Sequence, residues 1–414
     1  MSLPLEGCRV LDLGIITAGA ATGAMLADLG AEVIKVESPS YRDPFRAWTG
    51  KGGSYSPFRF TNRNKEGISI DLKSDAGRDV FFDLVRESDF VVENFRRGVL
   101  MDLGIDYPVL AEINPAIILA SISSQGEAGP LARYVSFGTT LEAMAGLAWH
   151  TGYDEASGPV ATGRALNYPD QVVALFATGL MLTAWRERQR TGNGAHLDLS
   201  QRELTSFLVG ELFAQDADAA PRTGNADAEF LYQQSLRTLD GWIAVSVAPE
   251  QGEAAAQVAG LASFSEEGFA RWCNRSVSDD ALAQLRLAGI AASQVMDGQG
   301  ALADRGVRWQ DAMATFDGDV LVKGLPFRYE SAPLRIRHDA PGTGEDTGAV
   351  LQRVTGYSAD RIAALMAAGA VEGPAGACRY RAQLSADVGR LEVRHAFREP
   401  PCGPLHDQAM HSDL

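Results

Sequence analysis

Cysteine is scarce in this chain: four in 414 residues, at positions 8, 273, 378 and 402, far apart and without a CxxC pair. Such spacing offers neither a zinc ribbon nor a disulfide framework, and reduced thiols in a cytosolic protein are the simplest expectation. Histidine is sparse too, six residues with no HxH or HExxH pairing, so no metal ligands are expected. Basic residues are outnumbered 37 to 53 by acidic ones, for a net charge of -16. That balance lacks the basic footprint of a nucleic-acid surface, although a local basic pocket for an anionic ligand stays open. No apolar run reaches membrane-spanning length without polar interruption, so no membrane segment is expected. The N-terminal MSLPLEGCRVLDLG has no charged stretch followed by an apolar one. No signal peptide is therefore expected, and a cytoplasmic location is.

What the chain does have is alternation. Arg9 to Leu13 reads as a strand, Ala20 to Leu29 as a small-residue helix ended by Gly30, and Ala31 to Val36 as a second strand. Strand, helix and strand make a βαβ unit with a parallel pair. The pattern repeats: Gly67 to Leu72 strand, Asp75 to Glu87 helix, Phe90 to Glu93 strand, Tyr107 to Ile113 helix, Ile117 to Ile122 strand. This predicts an α/β fold with a doubly wound parallel sheet. A long helix follows at Gln171 to Arg188, then a strand at Ala195 to Leu199. Ser235 to Leu239 and Trp242 to Val247 flank Asp240-Gly241, a hairpin signal. Later strands are expected at Ala291 to Val295, Val320 to Val322 and Leu334 to Ile336, and a helical tail at Gly348 to Gly369.

At 414 residues the chain is longer than one core usually serves. The expected division is a large Rossmann-like domain over 1–215, a polar linker over 216–229 and a small α+β domain over 230–325. The chain then returns to the large domain over 326–372 and ends in a loosely packed extension over 373–414.

Gly14, Gly19 and Gly23 follow the first strand, and Glu37 ends the second. A dinucleotide fingerprint needs glycines two and then three apart, and these gaps are five and four. The small residues serve equally well to bring helix and sheet close, or to let a phosphate or pantetheine arm near a helix N-terminus.

Asp170 stands out chemically. It follows Pro169 just ahead of the apolar stretch Val172 to Trp185. An Asp in a first helical turn is commonly a cap or a partner of the helix dipole. The same placement would hold the carboxylate ionised, as a nucleophile requires.

The order and spacing of several segments carry a resemblance. They are Gly7 to Leu13 (GCRVLDL), Leu26 to Glu37 (LADLGAEVIKVE), Asn62 to Lys65, Ile70 to Lys73, Val92 to Gly98 (VENFRRG), Leu103 to Ile105, Asn114-Pro115, Arg190 to Gly194 and Gly344 to Thr347. From about Leu5 to Val371 the chain resembles the family III CoA-transferases, which include formyl-CoA and carnitine CoA-transferases. The resemblance implies a Rossmann-like large domain made from both chain ends, a smaller domain between, and an interlocked homodimer. It implies that Asp170, in a Pro-Asp pair between the loop Gly158 to Gly163 and a long helix, is the catalytic aspartate. It also implies coenzyme A transfer from an acyl-CoA to a carboxylic acid through an aspartyl-acyl mixed anhydride, with CoA as substrate and no tightly bound cofactor. Thr17, Ala18, Gln125, Gly126, Phe137 and Gly138 are then the oxyanion and acyl-pocket positions. Ile70, Lys73, Asn94, Phe95, Arg96, Arg97 and Arg42 are the CoA-binding positions, with a solvated basic pair as the plainer reading of Arg96-Arg97.

The chain departs from the family pattern. Thr17 stands where a Gln is usual, Gly19-Ala20 replaces Gly-Pro, and Ser38 stands where an Arg is frequent. Gly138 replaces the aromatic that often lines the acyl pocket, and Phe230 to Ser235 lacks the glycines of the formyl-CoA enzymes' flap. A very small diacid such as oxalate is therefore disfavoured, and a bulkier acyl group expected. The alternative is another CoA-thioester reaction on the same fold, such as α-methylacyl-CoA racemisation, thioester hydrolysis or a lyase. Racemisation needs a His–Asp acid–base pair, and Phe137 occupies the position of the histidine. A CoA-binding scaffold without turnover is the non-enzymatic alternative.

Overall fold

The computed structural model describes residues 3–48, 56–153, 158–162, 167–213, 222–304, 313–316, 320–325, 329–330, 332 and 334–374. Its main sheet has seven strands: β1 (Arg9–Asp12), β2 (Glu32–Glu37), β3 (Lys65–Ile70), β4 (Phe90–Glu93), β5 (Ile118–Ser123), β6 (Ala195–Ser200) and the edge strand Val371–Glu372. Across the sheet the order is Val371–Glu372, β3, β2, β1, β4, β5, β6. All neighbours are parallel except the edge strand, which runs antiparallel to β3.

Alternation of side chains explains the layering. Leu11, Ile34, Ile68, Val91 and Leu119 point into one core, closed by Val80, Phe81 and Leu84 of the Asp75–Arg86 helix and by Ile362. Val10, Val33, Phe90, Val92, Ile118 and Ala120 point into the other core, closed by Leu26 and Ala27 of the Ala18–Asp28 helix and by Val173, Ala177 and Met181 of the Tyr168–Thr191 helix. Both faces are covered, as a parallel sheet requires. The strand order reverses between β1 and β4, the point where such sheets open a crevice at their carboxyl ends.

Close approach accounts for the small residues after β1. A Cβ on Gly14 would lie 2.3 Å from the Gly19 carbonyl carbon, one on Gly19 2.6 Å from Asn94 Oδ1, and one on Gly23 2.5 Å from Asp12 Oδ2. The three glycines are packing residues, and their irregular spacing follows from three different neighbours.

A separate antiparallel sheet joins β7 (Tyr232–Arg237), β8 (Trp242–Val247) and β9 (Ala291–Gln294). It has its own core around Ile243, Val245, Phe269 and Leu285. The Asp240-Gly241 turn forms as expected, held by Thr238 N–H to the Gly241 carbonyl and by Asp240 capping the Ser278 N–H at 2.8 Å. Its first strand starts three residues earlier than the pattern predicts.

Two expectations fail. Leu334 to Ile336 forms no strand. The side chain of Asn64 takes its backbone instead, donating to the Arg335 carbonyl at 3.2 Å and accepting from the Arg337 N–H at 2.6 Å. The expected tail helix is interrupted by a wide π-type turn over Leu351–Thr355 and by left-handed Gly356, φ 72°. Beyond it, Ala359–Ala367 leads into the Val371–Glu372 edge strand, so this late segment joins the sheet built by the first 200 residues. Of the expected linker, 216–221 lies outside the described residues, as do 375–414 of the extension and Gly163. Among the described residues, no helix is long and apolar enough to cross a membrane.

Candidate active site

Four helices begin around Asp170. Its own helix, Tyr168–Thr191, starts from Asn167 in the left-handed region (φ 45°) with Pro169 in the first turn. That helix starts three residues ahead of the expected boundary, which places Asp170 inside its first turn. Asn167 Nδ2 donates to Thr17 Oγ1 at 3.4 Å, and Thr17 precedes the Ala18–Asp28 helix. Gly138 opens the Gly138–Met144 helix, and a Cβ there would lie 3.4 Å from Asp170 Oδ2. Gln201 opens the Gln201–Phe207 helix and donates Nε2–H to Asp170 Oδ1 at 3.1 Å. Helix N-termini present unsatisfied N–H groups and a positive dipole end, so the convergence is electropositive.

The helix start favours the ionised form of Asp170. Burial pushes its carboxyl up to about 6, and the hydrogen bonds from Gln201 and from its own backbone N–H only partly offset this. At neutral pH the carboxylate is still mainly ionised and, being raised, more basic than a free aspartate.

The turn after β1 is held from below. Asn94, at the end of β4, accepts from the Ile15 N–H at 2.7 Å and donates to the Ile15 carbonyl at 3.0 Å. Ile16 adopts φ 60°, rare for a β-branched residue, and both Asp43 oxygens accept from its N–H at 3.2 Å. Asn94 thus ties the β1 and β4 loops across the point where the strand order reverses.

The other expected positions fall in two groups. Of the expected acyl-pocket positions, Gln125 is buried and donates to Ser136 Oγ at 3.1 Å, steadying the segment that leads to Phe137. Gly126 N–H donates to Ser123 Oγ at 2.9 Å, so it is already engaged; the first-turn N–H of Ala18 lacks a partner within its helix. Phe137 is 73% exposed. Among the described residues, no hydrogen bond or ring contact joins a histidine to Asp170; His196 bonds Ser121 and stacks on Tyr107.

Of the expected CoA-binding positions, Arg42, Lys73, Arg96 and Arg97 follow the carboxyl ends of β2, β3 and β4. Lys73 and Arg96 are exposed. Arg42 pairs with Glu372 at 3.2 Å, and Arg97 pairs with Glu127. Phe95 is half-buried against the first core. Ile70 is a correction: its side chain is fully buried in that core, so it cannot line a ligand.

Three contributors escape the sequence reading. Gln201 is one; Ser200 and Glu203 around it form an S-x-x-E signature that marks the helix start. Asn167 is another, legible only from its backbone conformation. Buried Glu142 is the third, accepting from Thr162 N–H at 2.7 Å and Oγ1 at 2.6 Å, which pins the 158–162 segment over the Gly138–Met144 helix.

Residues 5–347 match the profile of CoA-transferase family III. The chain belongs to this family. A probable CoA-transferase of Mycobacterium tuberculosis is 30% identical over 403 residues, 90% of this chain and 51% of its own length. The acetyl-CoA:oxalate CoA-transferase of Acetobacter aceti is 38% identical over 226 residues, 54% of this chain and 58% of its own. The succinyl-CoA–D-citramalate CoA-transferase of Chloroflexus aurantiacus is 28% identical over 393 residues, 88% and 97% respectively. The chain thus spans about half the length of the first two of these relatives. A CAIB/BAIF family protein from Brucella suis superposes with a TM-score of 0.78 at 27% identity, covering 86% of this chain and all of the other. For a family III member, the carboxylate at the meeting of four helix ends is the feature to explain.

Proposed function

We propose that this chain transfers coenzyme A from an acyl-CoA thioester to a carboxylic acid, with Asp170 as nucleophile. The observation that carries the reading is one partly exposed carboxylate at four converging helix starts, without an ion-pair partner among the described residues. An Asp170 oxygen attacks the acyl carbonyl; the C–S bond breaks as the C–O bond forms, giving a mixed anhydride and CoA thiolate. The thiolate attacks the aspartyl carbonyl and expels the donor acid. The acceptor carboxylate then attacks the aspartyl thioester and releases the thiolate. Attack of that thiolate on the acceptor's acyl carbon yields the new acyl-CoA and regenerates Asp170. Covalent catalysis splits one hard transfer into easier steps.

Each tetrahedral intermediate needs donors for its oxyanion, and the N–H groups of Thr17 and Ala18, where the helix begins, suit that need. Lys73, Arg96 and Arg42 suit the CoA phosphates, with Asn94 holding the turn between them and Asp170. The relatives that act on oxalate and citramalate support a carboxylic acid acceptor. The space left by Gly138 supports an acyl group larger than the smallest diacids.

The assembly belongs to the same reading. Leu175, Phe176 and Leu180 of the Asp170 helix, with Phe207 and Phe213, leave an exposed apolar face that a second copy of the chain would cover. The large domain would comprise 1–215 and 326–372, and the small one 230–325.

The test is incubation with acyl-CoA and hydroxylamine followed by peptide mass spectrometry. A hydroxamate at Asp170, absent in Asp170→Ala, is expected. α-Proton exchange in deuterated water that persists in Asp170→Ala, without acyl transfer, would overturn the assignment.

A further inference from the structure

The two oxygens of Asp170 have different surroundings. Oδ1 accepts the Gln201 Nε2–H bond at 3.1 Å. Oδ2 faces Gly138, where the missing side chain leaves open the space a Cβ would fill at 3.4 Å. Gln201 is itself 7% exposed and firmly set. It follows Ser200, which pairs with Ser123 in the sheet and caps the helix through the Glu203 N–H at 3.2 Å; the Gln201 carbonyl accepts from Thr205 Oγ1 at 2.7 Å. We propose that Gln201 holds Oδ1 of Asp170 and thereby makes Oδ2, on the Gly138 side, the attacking oxygen. This rests on the transfer reaction proposed above and adds a named atom and a named donor to it.

The chemistry follows from the geometry. A hydrogen-bonded carboxylate oxygen has a less available lone pair, and the open oxygen has both access and electron density. Attack through Oδ2 makes Oδ2 the bridging oxygen of the anhydride and Oδ1 the aspartyl carbonyl oxygen. When the CoA thiolate then adds to that carbonyl, the electron pair moves onto Oδ1. The Gln201 N–H already points there, so one amide serves the resting carboxylate and the oxyanion of the second step. The bond also favours the ionised carboxylate over the acid.

Three variants test this. In Gln201→Met, similar in length but without a donor, kcat falls at least roughly tenfold and the acid limb of kcat/KM moves to higher pH. Its KM for acyl-CoA stays within about twofold, because the lost bond is to Asp170 and not to substrate. In Gln201→Lys, which brings a charged donor, the acid limb moves to lower pH. Opposed shifts distinguish this role from a loss of packing, which would move both variants alike and lower both melting temperatures. Gly138→Val, which crowds Oδ2, lowers kcat/KM at least roughly tenfold. An unmoved acid limb and wild-type kcat in Gln201→Met, or full activity in Gly138→Val, would overturn the inference. Transfer activity persisting in Asp170→Ala would instead overturn the underlying function.

Discussion

Lys65 Nζ lies 2.6 Å from Asp12 Oδ2, with both side chains fully buried. The same ammonium meets the Ala20 and Thr61 carbonyls at 2.7 and 2.8 Å and Asn62 Oδ1 at 2.8 Å. It therefore joins the end of β1, the end of the Pro57–Asn62 helix just before β3, and the first turn of the Ala18–Asp28 helix. Burial pulls Lys65 down to about 8 against the attraction of Asp12. Removing one partner of such a pair strands the other charge, at a cost of about 3–5 kcal/mol. Lys65→Met is expected to lose that much in urea unfolding, whereas Lys65→Met with Asp12→Leu recovers part of it. A single variant as stable as wild type would contradict the argument.

As the proposed nucleophile, Asp170 has to be ionised to attack. With its carboxyl raised to about 6, kcat/KM is expected to fall with a midpoint near pH 6 and roughly tenfold per unit below it. A profile flat down to pH 4.5 would remove Asp170 from the rate equation.

The same shift bears on stability. The folded value lies above the usual 3.8, so the stabilising contribution is fully present below about 3.8 and is lost as pH rises through about 6. Above that, the buried charge is a cost. Asp170→Asn removes it and is expected to be more stable at pH 8 by about 1–2 kcal/mol, after discounting for partial exposure. Thermal melts at pH 8 and pH 5 read the effect: the gain narrows at pH 5.

Asn94 can be separated from any direct contact with CoA. Its two bonds to Ile15 hold the turn after β1. Asn94→Leu leaves the Ile15 N–H and carbonyl without their partner and is expected to cost about 1–3 kcal/mol. Hydrogen exchange then shows faster exchange at Ile15 and Ile16 in the absence of CoA. Unchanged exchange there would return Asn94 to a purely ligand-facing role.

Cys8 and Cys273 are buried free thiols, and burial pushes them up to about 11 and 12. Since the thiolate is the reactive form, neither is expected to react with a thiol reagent at pH 8 in a chain carrying Cys378→Ser and Cys402→Ser. Both should react after addition of guanidinium. Rapid labelling of the native protein would show that these cores open readily.

Much of the architecture was legible in local pattern. The β-branched and Leu-rich run Arg9 to Leu13 specified a strand, and the strand–helix rhythm specified the parallel sheet. Asp170 was legible as a candidate from Pro169 and the apolar run behind it. Backbone propensity and side-chain period act over a few residues, so a linear pattern records them. It misled where a side chain replaced a strand partner, as Asn64 does for Leu334 to Ile336. The meeting of Asp170 with Gln201, 31 residues on, and of Asn167 with Thr17, 150 residues away, was decided by the packing of four helix starts at the carboxyl end of the sheet. So was the basicity of Asp170, because desolvation depends on everything folded around the carboxyl group and not on the residues beside it in the chain.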